Sequence, residues 1–194
     1  MRDHIIRAAF HQDVLKKEHL DHHTFVVDEL GLKNGGIRAD IAVLNGSLVG
    51  YEIKTEKDNL YRLPAQIEAY NEVFDKAHII TGQRHLSKIE AMIPAWWGIY
   101  LIEPGQDQHY RFACHRPAGQ NKSKSTFGIA QLLWKKEATE IIANNLKLKV
   151  SQKSRKEELY NQLAEAFPAD ILGSITLQYM KSRADWRTDP LQRA

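Results

Sequence analysis

The chain has 194 residues, of which 43% are hydrophobic, 9% aromatic and 26% charged; that is enough for one compact domain with a core, or one domain plus a small helical appendage, and it excludes wholesale disorder. A single cysteine, Cys114, excludes an intramolecular disulfide framework and a cysteine-based zinc knuckle and makes a reducing cytoplasm the default. The net charge of +3 is divided unevenly: residues 1–110 hold 12 Lys and Arg against 16 Asp and Glu, whereas residues 111–194 hold 15 against 8.

In chain order, Arg2 to Leu20 reads as a helix, because Ile5, Ile6, Ala9, Val14 and Leu15 recur at roughly helical spacing. Met1 to Phe10 carries Arg2, Asp3, His4 and Arg7 and lacks the apolar stretch of a secretion signal. No apolar run approaches the roughly 18 residues of a membrane span, so no membrane partner is expected. Thr24 to Leu30 is a β-branched strand, and Gly31, Asn34, Gly35 and Gly36 punctuate a turn. Ile37 to Leu44 and Leu48 to Thr55 form a hairpin around Asn45-Gly46. Pro64 starts a helix that runs to about Phe74. His78 to Thr81, a helix over Leu86 to Met92, and strands over Gly98 to Ile102 and Gln108 to Cys114 complete a mixed-sheet α/β domain. Pro117 to Ser125 is polar and loop-like. Beyond it, helices are expected over about 127–145, 154–167 and 169–183.

Four acidic and basic positions lie close together: Glu29, Asp40, Glu52 and Lys54. Apolar pairing selects the hairpin register. Ile41 opposite Tyr51, Val43 opposite Val49 and Ala39 opposite Ile53 give one continuous apolar face, and Asp40 then stands across from Glu52 with Arg38 across from Lys54. A plain two-residue turn would shift the strands by one position and mix the faces, so a longer loop is expected at Asn45–Leu48. In the chosen register the two carboxylates are about 5 Å apart at Cβ. A hard divalent cation relieves their repulsion, and Mg²⁺ takes one or two carboxylates with water and phosphate oxygens. Lys54 then orients a water or stabilises transition-state charge. A surface salt-bridge cluster of Asp40, Glu52, Lys54 and Arg38 is the competing reading.

Asp40 followed by Glu52-Ile53-Lys54 resembles the Asp…(Asp/Glu)-x-Lys signature of the PD-(D/E)XK, or restriction-endonuclease-like, nuclease superfamily. Glu29 resembles the acidic residue that many members carry ahead of that motif, and Gln66-Ile-Glu-Ala-Tyr70 resembles the Gln-xxx-Tyr motif of RecB-like members. The wider string from Glu29 to Asp75 looks like a small bacterial family of largely uncharacterised nuclease-like proteins. Ala39 stands where the superfamily often has proline. The resemblance covers roughly residues 1–110 and implies a restriction-endonuclease-like core over 1–116, with a C-terminal helical extension over 117–194. It implies a Mg²⁺- or Mn²⁺-dependent DNA nuclease in which Asp40, Glu52 and the Ile53 carbonyl hold the metal and Lys54 positions the attacking water. By the same resemblance Glu29 holds a second metal or a water, and Gln66 and Tyr70, on one helix face, position DNA or the active-site loop; helix packing is the alternative for both. The alternative function is a nucleic-acid-binding protein on the same fold whose cleavage is lost or depends on a partner. A homodimer is an expectation for a small nuclease that cuts both strands.

Arg38 and Arg62 are further candidate nucleic-acid contacts, and Asp58 either lines the cleft or caps a turn. The basic C-terminal part suits a polyanion. Its helix, basic stretch and helix loosely resemble a SAP-like DNA-binding motif, with Lys147, Lys149, Lys153, Arg155 and Lys156 facing phosphates; Ser154 caps the second helix with Glu157 at the capping-box position. A bundle packed on the core through Leu159, Leu163 and Phe167 is the alternative. His19, His22 and His23 read as a solvated helix end, and Trp96-Trp97 as buried under the sheet.

Overall fold

The computed structural model describes residues 3–105 and 110–183. Six strands form one sheet in the order β1-β2-β3-β4-β5-β6: β1 (Phe25–Leu32), β2 (Ile37–Leu44), β3 (Leu48–Lys54), β4 (Lys76–Thr81), β5 (Gly98–Pro104) and β6 (Tyr110–Arg116). The first three form an antiparallel meander, β3, β4 and β5 run parallel, and β6 returns antiparallel. The parallel crossovers carry helices α3 (Leu63–Val73) and α4 (Leu86–Met92). The sixth strand ends two residues later than expected, at Arg116 rather than Cys114, and Gln108 lies outside the described residues.

Two apolar layers sandwich the sheet. On one face Ile6, Phe10 and Leu15 pack on Ile41, Val43, Tyr51 and Ile53. On the other, Leu63, Ile67, Tyr70 and Phe74 pack on Ala42, Leu44, Leu48 and Ile79. The helix expected over Arg2 to Leu20 is broken into α1 (Asp3–Asp13) and α2 (Lys16–Leu20). In an unbroken helix Leu15 would lie about 140° around the axis from Phe10 and face solvent. The turn at residues 14–15 lets Leu15 bury completely beside Phe10.

The hairpin register is the one apolar burial selects: Ile41 pairs with Tyr51, Val43 with Val49 and Leu44 with Leu48. The turn is the longer one expected, with Asn45 N–H donating to Ser47 O at 3.0 Å and Gly46 at φ 65. One detail differs. Ala39 packs with the α3-side layer rather than with Ile41 and Val43, as do Ile37, Leu30 and Leu32. The alternation of β1 and β2 shifts together at Glu29–Asp40, where Glu29 holds a left-handed conformation (φ 57). Paired ladder positions run only from Ile41–Tyr51 to Leu44–Leu48, so Arg38 does not stand across from Lys54.

The long helix expected near 127–145 is also divided, into α5 (Thr126–Ala130) and α6 (Lys135–Ile141), with a π-type turn over 142–146. Trp134 is extended and its N–H is capped by Glu137 at 2.7 Å. The α7 (Lys156–Ala166) and α8 (Ala169–Lys181) helices follow. The α7 cap sits one residue later than expected, with Arg155 N–H donating to Glu158 at 3.1 Å. These helices have a core of their own around Leu133, Ile141, Leu159 and Leu163, but Leu132 and Met180 join the α3-side layer. The polar stretch 117–125 is strapped to the end of α3: Asn121 Nδ2 donates to Asn71 O at 2.8 Å and Phe74 O at 2.9 Å, and Ser125 N–H donates to Glu72 O at 2.8 Å.

Gly50 of β3 lies under α3, where an added Cβ would sit 2.7 Å from the ring of fully buried Phe74. Gly50→Ala therefore overpacks the site that seats α3, and should cost about 1–3 kcal/mol of stability in urea unfolding.

Candidate active site

The central feature is a buried carboxylate on β3. Glu52 is 1% exposed. An isolated carboxylate in that position would be expensive, and burial does push its pKa up, opposed by Lys54, Tyr70 and Gln66. Its oxygens are hydrogen-bonded on both sides. Lys54 Nζ donates to Oε1, Gln66 Nε2 donates to Oε1 at 2.5 Å, and Tyr70 OH donates to Oε2 at 2.8 Å. Lys54 is itself only 6% exposed. Period-2 alternation puts Glu52 and Lys54 on one side of β3, and four-residue spacing puts Gln66 and Tyr70 on one side of α3.

Asp40 approaches from β2. Its Oδ2 accepts from the Ile53 N–H at 2.7 Å, so beyond the last ladder pair the side chain takes over from the backbone in joining β2 to β3. Burial first, and the nearby Glu52 charge second, push the Asp40 pKa up to about 7. Arg7 of α1 offsets part of this, with Nη2 3.3 Å from Asp40 Oδ1 and Nη1 2.7 Å from Glu29 Oε1. Arg38 Nε lies 3.2 Å from the other Glu29 oxygen. The left-handed conformation of Glu29, costing about 1–2 kcal/mol for a residue with a Cβ, places its carboxylate between these two guanidinium groups.

Thus Asp40, Glu52, Lys54 and Gln66 converge around β3, and Glu29 joins Asp40 through Arg7. Tyr70 requires a correction. It is 0% exposed and cannot touch a nucleic acid; its hydroxyl is directed to Glu52 and lies 3.1 Å from Tyr51 O, so it holds the carboxylate in place. Arg62 and Arg38 are exposed. Asp58 caps a turn, its Oδ2 accepting from Thr55 N–H and Oγ1 at 2.7 Å each. In the C-terminal part Lys147, Lys149, Lys153, Arg155 and Lys156 are all exposed, and Lys156 lines a groove of about 350 Å³ with Glu29 and Trp134.

Sequence reasoning missed Arg7. The available signal was its place between Ile6 and Phe10 on the buried side of α1, where a cation needs an acidic partner. It also missed His11, 2% exposed, whose ring nitrogens lie 3.0 Å from Asp28 and 2.9 Å from His19. His19 is therefore tied into the fold, whereas His22 and His23 are exposed. Trp97 is buried, as expected, with Nε1 donating to Asn71 at 2.8 Å.

Among the described residues no three His, Cys, Asp or Glu side chains come together as a closed metal cage requires. The donor set still fits a hard divalent cation of the Mg²⁺ type, which needs only one or two carboxylates and completes its shell from water and phosphate. Gln66 Oε1, a buried oxygen with no hydrogen-bond partner, adds an acceptor beside Glu52.

The fold and site define a mixed α/β protein, a six-stranded sheet flanked by helices, that gathers two acids and a lysine around one strand. The chain belongs to the family described as Bacteriophage P4 protein cII, whose model matches residues 2–193. It is 29% identical to Protein cII of Enterobacteria phage P4 over 99 residues, a stretch that is 51% of this chain and 37% of that protein. The match thus spans little more than a third of that relative's length. A solved structure of a protein of unknown function from Silicibacter pomeroyi aligns over 95% of this chain and 97% of its own, with a TM-score of 0.44 and 13% identity. No helix among the described residues is long and apolar enough to cross a membrane.

Two measurements test this geometry. Tyr70→Phe removes one donor from a buried carboxylate and should cost about 1–3 kcal/mol in urea unfolding. A carboxyl with a pKa of about 7 in the fold and the ordinary 3.8 outside it takes up a proton on folding between those values. Its contribution to stability is therefore greatest at the acid end and is lost as pH rises toward 7. Asp40→Asn should flatten that part of the stability–pH curve; an unchanged slope would place the titration on another group.

Proposed function

We propose that the protein is a metal-dependent nuclease that hydrolyses DNA phosphodiester bonds on a restriction-endonuclease-like core. The observation that carries this reading is the Asp40 carboxylate bonded to the Ile53 N–H, which brings the acid of β2 to the Glu52-Ile53-Lys54 segment of β3. The order of helix, three antiparallel strands, helix and parallel strand supports the same core. Asp40 and Glu52, with the Ile53 carbonyl, would hold Mg²⁺ or Mn²⁺. When bound, the cation would lower the pKa of a coordinated water and neutralise phosphate charge. Lys54, paired with Glu52, orients the attacking water and stabilises charge that builds on the phosphoryl oxygens. Gln66 and Tyr70 hold the Glu52 carboxylate in place and oppose the upward push of burial on its pKa. Water adds to phosphorus and gives up a proton to solvent as the bond to the leaving sugar oxygen breaks, and the leaving oxygen takes a proton from solvent.

One observation favours a second reading, a nucleic-acid-binding protein that does not cleave alone. Both acids already have an internal cation beside them, Arg7 on Asp40 and Lys54 on Glu52, so part of their charge is offset without a metal.

Supercoiled plasmid and labelled single and double strands, incubated with Mg²⁺, Mn²⁺ or EDTA, separate the two. The nuclease reading expects metal-dependent cleavage that falls at least about a hundredfold in Lys54→Ala, while that variant still binds DNA. Binding with no cleavage by the wild-type protein in either metal would support the second reading, and full activity in Lys54→Ala would remove its assigned role.

A further inference from the structure

The catalytic strand ends in a loop whose most prominent side chain is an aromatic ring in solvent. Tyr61 is 90% exposed, although its neighbours Leu60 and Leu63 are buried. The loop around it is held firmly. Asp58 bonds Thr55 through both its side chain and its backbone N–H, Asn59 Oδ1 accepts from Tyr61 N–H at 3.3 Å, and Leu63 N–H donates to Leu60 O at 3.1 Å. The ring is therefore projected from an anchored segment.

The neighbouring loop is basic. Lys54 of β3 pairs with Thr81 of β4, so the segments that follow the two strands leave the sheet side by side. Arg84 Nη1 donates to Glu56 O at 3.1 Å, and at Gly82 an added Cβ would meet the Glu56 side chain at 2.9 Å. Tyr61, Arg84, His85, Lys88 and Met92 line one concavity of about 500 Å³, with Arg84 and Lys88 exposed. The acid on its rim, Asp58, has one oxygen engaged by Thr55. In open α/β sheets, ligands bind beyond the carboxyl ends of the parallel strands, which is where this concavity lies.

We propose that this surface is a binding site for single-stranded nucleic acid, in which an unpaired base stacks on Tyr61 and the flanking phosphates lie against Arg84, Lys88 and Arg62. The inference rests on the nuclease reading for its direction along β3 but not for its chemistry. An anchored, exposed aromatic ring beside cations is the arrangement that takes an unpaired base, because each base offers a π-face and each linkage a negative charge. A base within a duplex has both faces covered by its neighbours, so the site prefers unpaired strand.

The test is fluorescence anisotropy of a short fluorescein-labelled oligothymidylate, with a hairpin duplex for comparison, on the full chain in EDTA at low ionic strength. Tyr61→Ala should weaken oligothymidylate binding about tenfold, the scale of one lost stack, and Tyr61→Trp should restore it. Duplex affinity should change less. Arg84→Ala and Lys88→Ala should each reduce the slope of log affinity against log salt by about 0.7. Wild-type affinity in Tyr61→Ala overturns the proposal, as does failure of the wild-type protein to bind the oligonucleotide or equal binding to polyglutamate. Loss of cleavage in Lys54→Ala with wild-type binding in Tyr61→Ala would remove this site and keep the nuclease; weakened binding by Tyr61→Ala in a protein that cuts nothing would keep this site and remove the nuclease.

Discussion

The burial of one carboxylate organises the centre of this molecule. Glu52 lies where water does not reach, so its charge persists only if protein donors replace the lost hydration. Those donors come from its own strand, as Lys54, and from α3, as Gln66 and Tyr70. The requirement thus fixes the rotation of α3 about its axis, and with it the seating of Phe74 over Gly50. Polar and apolar demands agree: the turn of helix that sends Tyr70 toward Glu52 also sends Ile67 and Val73 into the core. Losing a donor costs more than one ordinary hydrogen bond, because the acceptor left behind is charged.

A second carboxylate close to the first makes charge balance the next constraint. Asp40 is disfavoured as an anion by burial and by Glu52, and the nearest cation comes from the other side of the sheet, on α1. Arg7 ties Asp3, Glu29 and Asp40 to one guanidinium. The N-terminal helix is therefore part of the site, not merely a cover for the apolar layer. The strained conformation of Glu29 is consistent with this, since the cost of a left-handed residue persists only where surrounding contacts over-determine it.

How much of this was legible in the sequence follows from the range of the interactions. The hairpin register was readable because apolar alternation over Ile41 to Tyr51 leaves one solution, and the loop over Asn45–Ser47 followed from it. The Glu52 and Lys54 pair was readable because two residues of one strand share a face. Ala39 went to the other face because the alternation shifts at Glu29, and nothing local to Ala39 announces a left-handed residue on the neighbouring strand. Tyr70 was ambiguous for a similar reason. Its spacing from Gln66 fits both packing and contact with a ligand, and only the depth of Glu52 decides between them. The partners of Arg7 and His11 were not readable because they are 33 and 17 positions away: the place of Arg7 beside Ile6 says that it needs an acid, but helical spacing carries no information about which acid lies across a sheet. The break in the first helix has a non-local cause as well, Leu15, which a straight helix would leave on the wrong side.

The accessible side of the cluster differs from its chemical centre. Glu52 and Lys54 side chains are 1% and 8% exposed, whereas Asp40, Arg7 and Glu29 reach 18%, 15% and 29%. Whatever approaches the cluster meets Glu29, Asp40 and Arg7 first. A dianionic or polyanionic group arriving there competes with Asp40 for the Arg7 guanidinium, since planar donors of this kind suit phosphate as well as carboxylate. Drawing Arg7 away leaves Asp40 facing Glu52 without its cation, which raises the attraction of the pair for a divalent ion. On the nuclease reading, arrival of the phosphate and demand for the metal are then coupled through one arginine. On the binding reading, the same arginine holds the phosphate and no metal follows.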